Sequence, residues 1–573
     1  VLSAVSSFRF YLVALIFILL IYSGNVFLKT QLIKMLVDAV VQTSTTLDEL
    51  WTLVGHFGIV LLIELLTFRF QEWCTLRYEP ALQNHVTTSV FKHVLQREYG
   101  FFQTQLAGNL TTKVNDVAVC IPALVAVVLY DYLVNFLLVG GAFISLWKVS
   151  HGLAWVISSW ALLTVATALF ITQRSLQLAK YAAETAAQIG GKMTDMFDNI
   201  LTARLFSMQA YALKQLNRFQ VGYLKASQRY RWLMLKFYIF QGASFQLYQV
   251  VCLLLLVRMY GQHKVSAGAF AMILSTNLII TNGLWKMFER MQKLNTLWGK
   301  VSQALQVLLA PSRIQDKSHA TSLVVNAGTI SFEKVTFGYS KASNLLNRQT
   351  IYIAAKQKIG LVGHSGSGKT TFVNLISRLF DLESGAILID GQDIRDVTQK
   401  TLHKALTVVA QESTLFHSTI LENIRYGKPD ADGSEIIEAA KRACAHEFIV
   451  QLPHQYATSV GARGLKLSED QRQRIAIARA LLKEAPIVIL DEITAHLDAA
   501  TEQKIHASLA AWVRDKTVLV ISHKLATLRQ MDRILVFNKG KIVEDGTHQQ
   551  LLSQGGHYTT LWNMRDRERL DKE

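Results

Sequence analysis

Six runs of about twenty apolar residues dominate the first half of the chain, at 11–30, 51–68, 124–147, 153–172, 237–260 and 267–286. Roughly 20 helical residues span the about 30 Å of hydrocarbon in a bilayer, so each run is long enough to cross a membrane as a helix. The stretch LAWVISSWALLTVATALF, 153–170, carries no charge at all. The runs come in pairs. Short polar links such as KVSHG (148–152) and GQHKVS (261–266) join the third to the fourth and the fifth to the sixth, and another short link joins the first two. Between the second and third, and between the fourth and fifth, lie longer excursions of helical periodicity without strand signals. They carry Arg69, Arg77, Lys92, Arg97 and Lys113 in one, and Arg174, Lys180, Lys192, Arg204, Lys214, Arg218, Lys225 and Arg229 in the other. The excess of bases on one side places both excursions, and both chain ends, in the cytoplasm.

The pattern changes after PSRIQDKSHATSLVV, 311–325, which reads as a linker. Beyond it short β-rich runs alternate with helical ones: TISFEKVTFGY, KIGLVG, AILIDG, TVVAQ, IVILDE, TVLVISH and RILVFNKGKIVEDG. Such alternation predicts an α/β domain. The expected fold is an α-helical polytopic membrane domain of six long helices with cytoplasmic extensions (1–310), a linker (311–325), and an α/β P-loop domain with a helical subdomain (326–573).

Composition adds little that the pattern had not implied. Apolar residues make up 51% of the chain, as a membrane protein requires. The net charge of +17 does not come from blocks of like charge, and its bases flank apolar segments, so nucleic acid is not an expected partner. Cys74, Cys120, Cys252 and Cys444 are scattered with no CxxC pair, which leaves neither a disulfide framework nor a zinc site to predict. The chain opens without Met on VLSAVSSFRF and shows no cleavable signal, so a missing N-terminal piece is expected.

The chemistry is concentrated in the second half. Gly363, His364, Ser365, Gly366, Ser367, Gly368, Lys369 and Thr370 fit G-x-x-x-x-G-K-[ST], after the strand KIGLV and before the helix TTFVNLISRLF, which opens on Thr370 and Thr371. Glycines let backbone N–H groups turn toward phosphate oxygens, Lys369 adds a charge, and the Thr370 hydroxyl is a magnesium ligand. The run IVILDE delivers Asp491 to the metal, while Glu492 polarises a water in line with the γ-phosphate. Gln411, ending LTVVAQ, offers an amide to metal or water, and His523, ending TVLVISH, can reach the γ-phosphate. The expected cofactors are ATP and Mg2+. In the apolar runs, Glu64 and Asp131 are candidate cargo contacts, with Arg69 as an alternative partner for Glu64.

In order and spacing these motifs resemble an ATP-binding cassette (ABC) transporter half of the exporter (type IV) fold, across essentially the whole chain. TQLIKMLVDAVV and REYGFFQTQLAGNLTTKVND resemble its first-helix exit and first cytoplasmic loop, TSVGARG (458–464) the loop that senses the membrane domain, and AHLD, ending at Asp498, the segment that crosses the dimer. The resemblance implies that Tyr339 stacks on adenine, that Ser468 and Gln471 belong to the signature, and that short helices near 101–105 and 199–208 transmit closure.

The signature departs from its family. KLSEDQRQR carries Glu469 and Asp470 where the family has two glycines. In the family, a signature grips the nucleotide held by the other protomer's P-loop, so the change adds bulk and negative charge beside a γ-phosphate. With the other nucleotide residues intact, the expectation is one half of a heterodimer with unequal ATP sites, a homodimer being the alternative. The expected activity is ATP-driven translocation of a small amphipathic, lipid or peptide substrate, by a protein integral to a membrane, the bacterial inner membrane in the first instance, with its ATPase domain in the cytoplasm. Import of a metal chelate on the same fold, and an ATP-binding membrane regulator of little turnover, are the alternatives.

Overall fold

The structure, a computed structural model, describes residues 8–42, 45–105, 107–311, 314–339, 345–411, 413–493, 498–522 and 524–570. The chain divides into two compact units, Val1–Gln96 with Gln105–Pro311, and Arg97–Thr104 with Ser312–Glu573.

In the first unit each apolar run lies inside one long helix: Arg9–Val41, Leu47–Leu95, Ala107–Trp147, His151–Asp198, Gln209–Gly261 and Ala267–Leu308. The excursions continue these helices. Those of 49, 48 and 53 residues reach about 70–80 Å at 1.5 Å per residue, far beyond a bilayer's apolar layer. The third is interrupted by a π-helical turn, Val127–Leu133, just after Pro122.

Packing follows a stripe at intervals of three and four. On Gln209–Gly261 the buried positions are Ala226, Tyr230, Met234, Phe237, Gln241, Phe245, Tyr248, Cys252 and Leu256, and apart from Ala226 and Gln241 they share one apolar cluster with Met272, Ile280 and Phe288 of the last helix. The opposite faces, with Ile239, Leu247, Val250 and Leu254, are exposed apolar surface, suited to lipid acyl chains. Glu64 pairs with Lys29 of the first helix. The Arg69 alternative is thereby corrected: Arg69 pairs with Glu72, one turn along its own helix, at 2.6 Å. Asp131 lies 3.6 Å from Arg290.

The second unit holds two sheets. Strands β1 (Ile330–Phe337), β2 (Leu346–Ile353), β4 (Ser384–Ile389) and β5 (Gln392–Asp393) form an antiparallel sheet in the order β2-β1-β4-β5. Strands β3 (Lys358–Gly363), β6 (Leu406–Val409), β7 (Ile487–Asp491), β8 (Thr517–Ile521), β9 (Arg533–Asn538) and β10 (Lys541–Gly546) form the second, ordered β10-β9-β3-β8-β7-β6. Its central strands pair in parallel and are covered on both faces, which is why IVILD and TVLVI read as continuous apolar runs. Helices Ile420–Arg425, Gly433–Arg442, His446–Gln451 and Glu469–Leu482 surround Ile424, Ile436, Ala440, Ile449 and Ile475, forming the helical subdomain.

The short helix Tyr99–Thr104 belongs with this unit, although its sequence lies between two membrane helices. Glu98 Oε2 accepts from the Ile314 N–H at 3.0 Å, and the Tyr99 ring stands edge-on to Phe380 at 6.4 Å. The corresponding helix of the other excursion, Ile200–Leu205, lies in the first unit. Within the second unit, the backbone N–H groups of Asn326, Ala327, Gly328 and Thr329 all donate to Asp390.

Candidate active site

Strand β3 ends at Gly363, where an added Cβ would stand 2.3 Å from the Phe537 carbonyl oxygen. Only glycine lets the chain turn there. Gly368 caps helix Lys369–Ile376 in the left-handed region, at φ 106. The loop thus ends on a helix N-terminus, whose N–H groups and dipole favour an anion. Lys369, 6% exposed, donates from Nζ to the Gly363 and His364 carbonyl oxygens at 2.8 and 3.0 Å. The Ser367 Oγ is buried in the loop with no hydrogen-bond partner among the described residues.

Two neighbouring strand ends complete the constellation. Asp491 closes β7 with 8% exposure. Burial first, and the charge of Glu492 second, push its carboxyl up to about 6, against the pull of Lys369. Glu492 has φ 48, a conformation that non-glycine residues adopt at a cost and that gathers at functional sites. Bonds from the described residues help to hold it: its N–H donates to the Ile521 oxygen at 3.0 Å, its own carbonyl accepts from Gln473 Nε2 at 3.4 Å, and its Oε2 accepts from Gln411 Nε2 at 2.9 Å.

These groups line a cleft of about 420 Å³. It gathers Tyr339, Ser365, Gly366, Ser367, Gly368, Lys369, Thr370, Thr371, Gln411, Asp491 and Glu492, from loops separated by more than 150 residues of sequence. Tyr339 is 57% exposed, its hydroxyl 3.0 Å from Thr371 Oγ1, leaving its ring open to a flat ligand. His523, and residues 495–497 of AHLD, lie outside the described residues.

Residues 346–495 match the ABC transporter family and residues 9–284 match the ABC transporter transmembrane region, together more than half of the sequence. The chain is an ABC transporter. An uncharacterized ABC transporter ATP-binding protein of Haemophilus influenzae is 35% identical over 486 residues, covering 82% of this chain and 77% of its own. An ATP-dependent lipid A-core flippase of Legionella pneumophila is 32% identical over 501 residues, 85% of this chain and 82% of its own. The structure of a bacterial Atm1-family ABC exporter with ATP bound superposes with a TM-score of 0.89 at 27% identity, over 97% of this chain and 98% of that one. This ABC transporter is therefore a half-size exporter, one membrane domain fused to one ATP-hydrolysing domain, and an integral membrane protein.

The transporter's own signature does not line its own cleft. Ser468 caps helix Glu469–Leu482 in a capping box: Gln471 N–H donates to Ser468 Oγ, and Ser468 N–H to Gln471 Oε1, both at 3.1 Å. The two acids occupy the first turn. Glu469 is exposed, whereas Asp470 is partly buried and bridges to Arg474. Asp498 is turned to helix capping, accepting from Ala500 and Thr501 N–H at 3.1 and 2.9 Å, and the Thr501 and Ala500 bonds hold its carboxyl below the usual range.

Sequence reading missed Leu345 and Ile521, which wall the cleft, and Gln473, which is 2% exposed behind Glu492. Gln473 carried a readable signal. A polar residue followed at i+2, i+4 and i+5 by Ile475, Ile477 and Ala478 stands among the buried positions of its helix, and a buried amide requires partners.

Proposed function

We propose that this chain is the catalytically equipped half of a heterodimeric exporter with unequal ATP sites. Its P-loop, Asp491 and Glu492 meet an intact signature from a second half transporter and hydrolyse ATP there. Its own Ser468-Glu469-Asp470-Gln471 completes a second, weaker site on the partner's nucleotide. The observation that carries this reading is the placement of two acids on the first turn of an otherwise well-capped signature helix, while the chain's own cleft gathers Lys369, Thr370, Gln411, Asp491 and Glu492.

The roles follow from chemistry. Tyr339 stacks on adenine, and the loop from Gly363 to Lys369, with Thr370 and Thr371, binds phosphates. Ser468 and Gln471 contact the nucleotide across the dimer, with Asp498 beside them. Thr370, Gln411 and Asp491 would hold Mg2+. Their hydroxyl, amide and carboxylate oxygens form the hard donor set that this ion takes, and a buried carboxyl with a raised pKa gains from a nearby cation. The ion would neutralise phosphate charge. Glu492 orients and deprotonates the attacking water, and His523 contacts the γ-phosphate.

The substrate is a small amphipathic molecule, lipid- or peptide-like, in a bacterial inner membrane with the ATPase domain cytoplasmic. The flippase relative supports a lipid, and the exporter match supports export over import. The test is ATPase activity in lipid vesicles with and without a second half transporter bearing Ser-Gly-Gly-Gln. Activity that rises at least tenfold on pairing supports the heterodimer. Equal activity alone, abolished by Glu492→Gln, would show a working homodimer.

A further inference from the structure

The acids at 469 and 470 are not equivalent. Asp470 Oδ2 accepts from Arg474 Nη2, one turn along the same helix, with the side chains 25% and 15% exposed. Helical side chains tilt toward the helix N-terminus, so Arg474 reaches back one turn to meet the carboxylate and sets a positive charge against it near the end where a phosphate would dock. Arg474 cannot follow a ligand, because its other contacts fix it. Nη1 donates to the Cys444 oxygen at 2.9 Å, and the guanidinium lies 4.9 Å over the Phe448 ring. Glu469 lies on the exposed side of the turn.

We propose that Arg474 is a positioning residue that neutralises Asp470 and holds it off a nucleotide docking at the signature, so that the altered motif repels phosphate less than its two acids suggest. This rests on the unequal-site reading and refines it: the second site is weakened and still binds ATP. Removing Arg474 alone releases Asp470 toward the phosphate. Removing both members of the pair leaves the charge on the turn as it was.

The test measures KM for ATP and kcat in the full transporter in lipid vesicles, for Arg474→Met, Asp470→Gly and the double variant. Expected are an ATP KM raised about tenfold by Arg474→Met, within the range of couplings between contacting residues, and a double variant within about twofold of the unmodified protein. If the double variant instead binds ATP tenfold more tightly than the unmodified protein, Asp470 was acting as an unscreened acid and the inference is overturned. An unchanged KM in Arg474→Met overturns it equally. Should the thioether of Arg474→Met fail to hold Cys444 and Phe448, Asp470→Asn with Arg474→Gln carries the same comparison with hydrogen-bonding side chains retained. The unequal-site reading fails separately, if Glu469→Gly with Asp470→Gly leaves both KM and kcat unchanged.

Discussion

Gln411 Nε2 and Glu492 Oε2 are 2.9 Å apart, joining the loop after β6 to the residue after β7. The bond ties one carboxylate oxygen to a neighbouring strand end, while the left-handed backbone of Glu492, φ 48, sets where its side chain leaves the strand. A positioned base contributes about 10²–10⁴ in rate. Glu492→Gln is expected to lower phosphate release at least 100-fold while ATP binding, measured with the same protein, persists. Retention of more than a tenth of the activity would remove Glu492 from this role.

Phe380 connects two distant pieces of sequence. Its ring stands edge-on to Tyr339 at 5.2 Å and to Tyr99 at 6.4 Å. Edge-to-face pairs are worth about 0.5–1.5 kcal/mol beyond their burial, enough to set the angle of a half-exposed ring. Phe380→Ala is expected to raise KM for ATP about threefold to tenfold with little change in kcat, the signature of lost ground-state binding. Phe380→Tyr should restore it. A fall in kcat at unchanged KM would place the effect in transmission through Tyr99.

Much of this was legible in the sequence, for identifiable reasons. The six apolar runs read as membrane helices because the core of a soluble domain does not bury six runs of about twenty mostly apolar residues, and the P-loop could be placed because glycine spacing, strand and helix coincide. The length of the helices was not legible. Nothing in the basic excursions marks where helix Gln209–Gly261 begins, about 28 residues before its apolar run, since helix propensity does not change at a membrane surface. Ion pairing also escaped. Lys29 lies 35 residues before Glu64, whereas the nearby Arg69 looked like the natural partner and turns instead to Glu72. The grouping of Tyr99–Thr104 with the ATPase unit is visible in the contacts of Tyr99 with Phe380 and of Glu98 with Ile314, which no periodicity encodes.

Asp390 provides a pH test of the ATPase unit. Partial burial alone would raise its pKa, but N–H groups of Gly328, Ala327 and Thr329 outweigh burial and hold it well below the carboxylate range. A carboxyl depressed in the folded state stabilises fully above its unfolded pKa of about 3.9 and loses that contribution as pH falls toward the folded value. Asp390→Asn is therefore expected to lower Tm by several degrees at pH 7, with the gap to the unmodified protein closing as pH drops below about 4. A gap that stays constant from pH 7 to 3 would show that the charge is not what matters.

Lys29 and Glu64 pair between the first two membrane helices, the neighbouring Asn25 donating to the Val60 oxygen at 2.8 Å. A lone charge near a helix centre costs about 2.5–3.5 kcal/mol on insertion scales, so Glu64→Gln strands a lysine and Lys29→Gln strands an acid. Each single change is expected to lower thermal stability in detergent and reduce ATPase activity. The exchanged pair, Lys29→Glu with Glu64→Lys, should recover most of both, because the ion pair is restored with its direction reversed. Cargo recognition separates from structure in this comparison. If the exchanged protein regains its stability and basal ATPase but not stimulation by substrate, the pair's polarity is read by the molecule being transported; if all three return, the pair serves only to join the two helices.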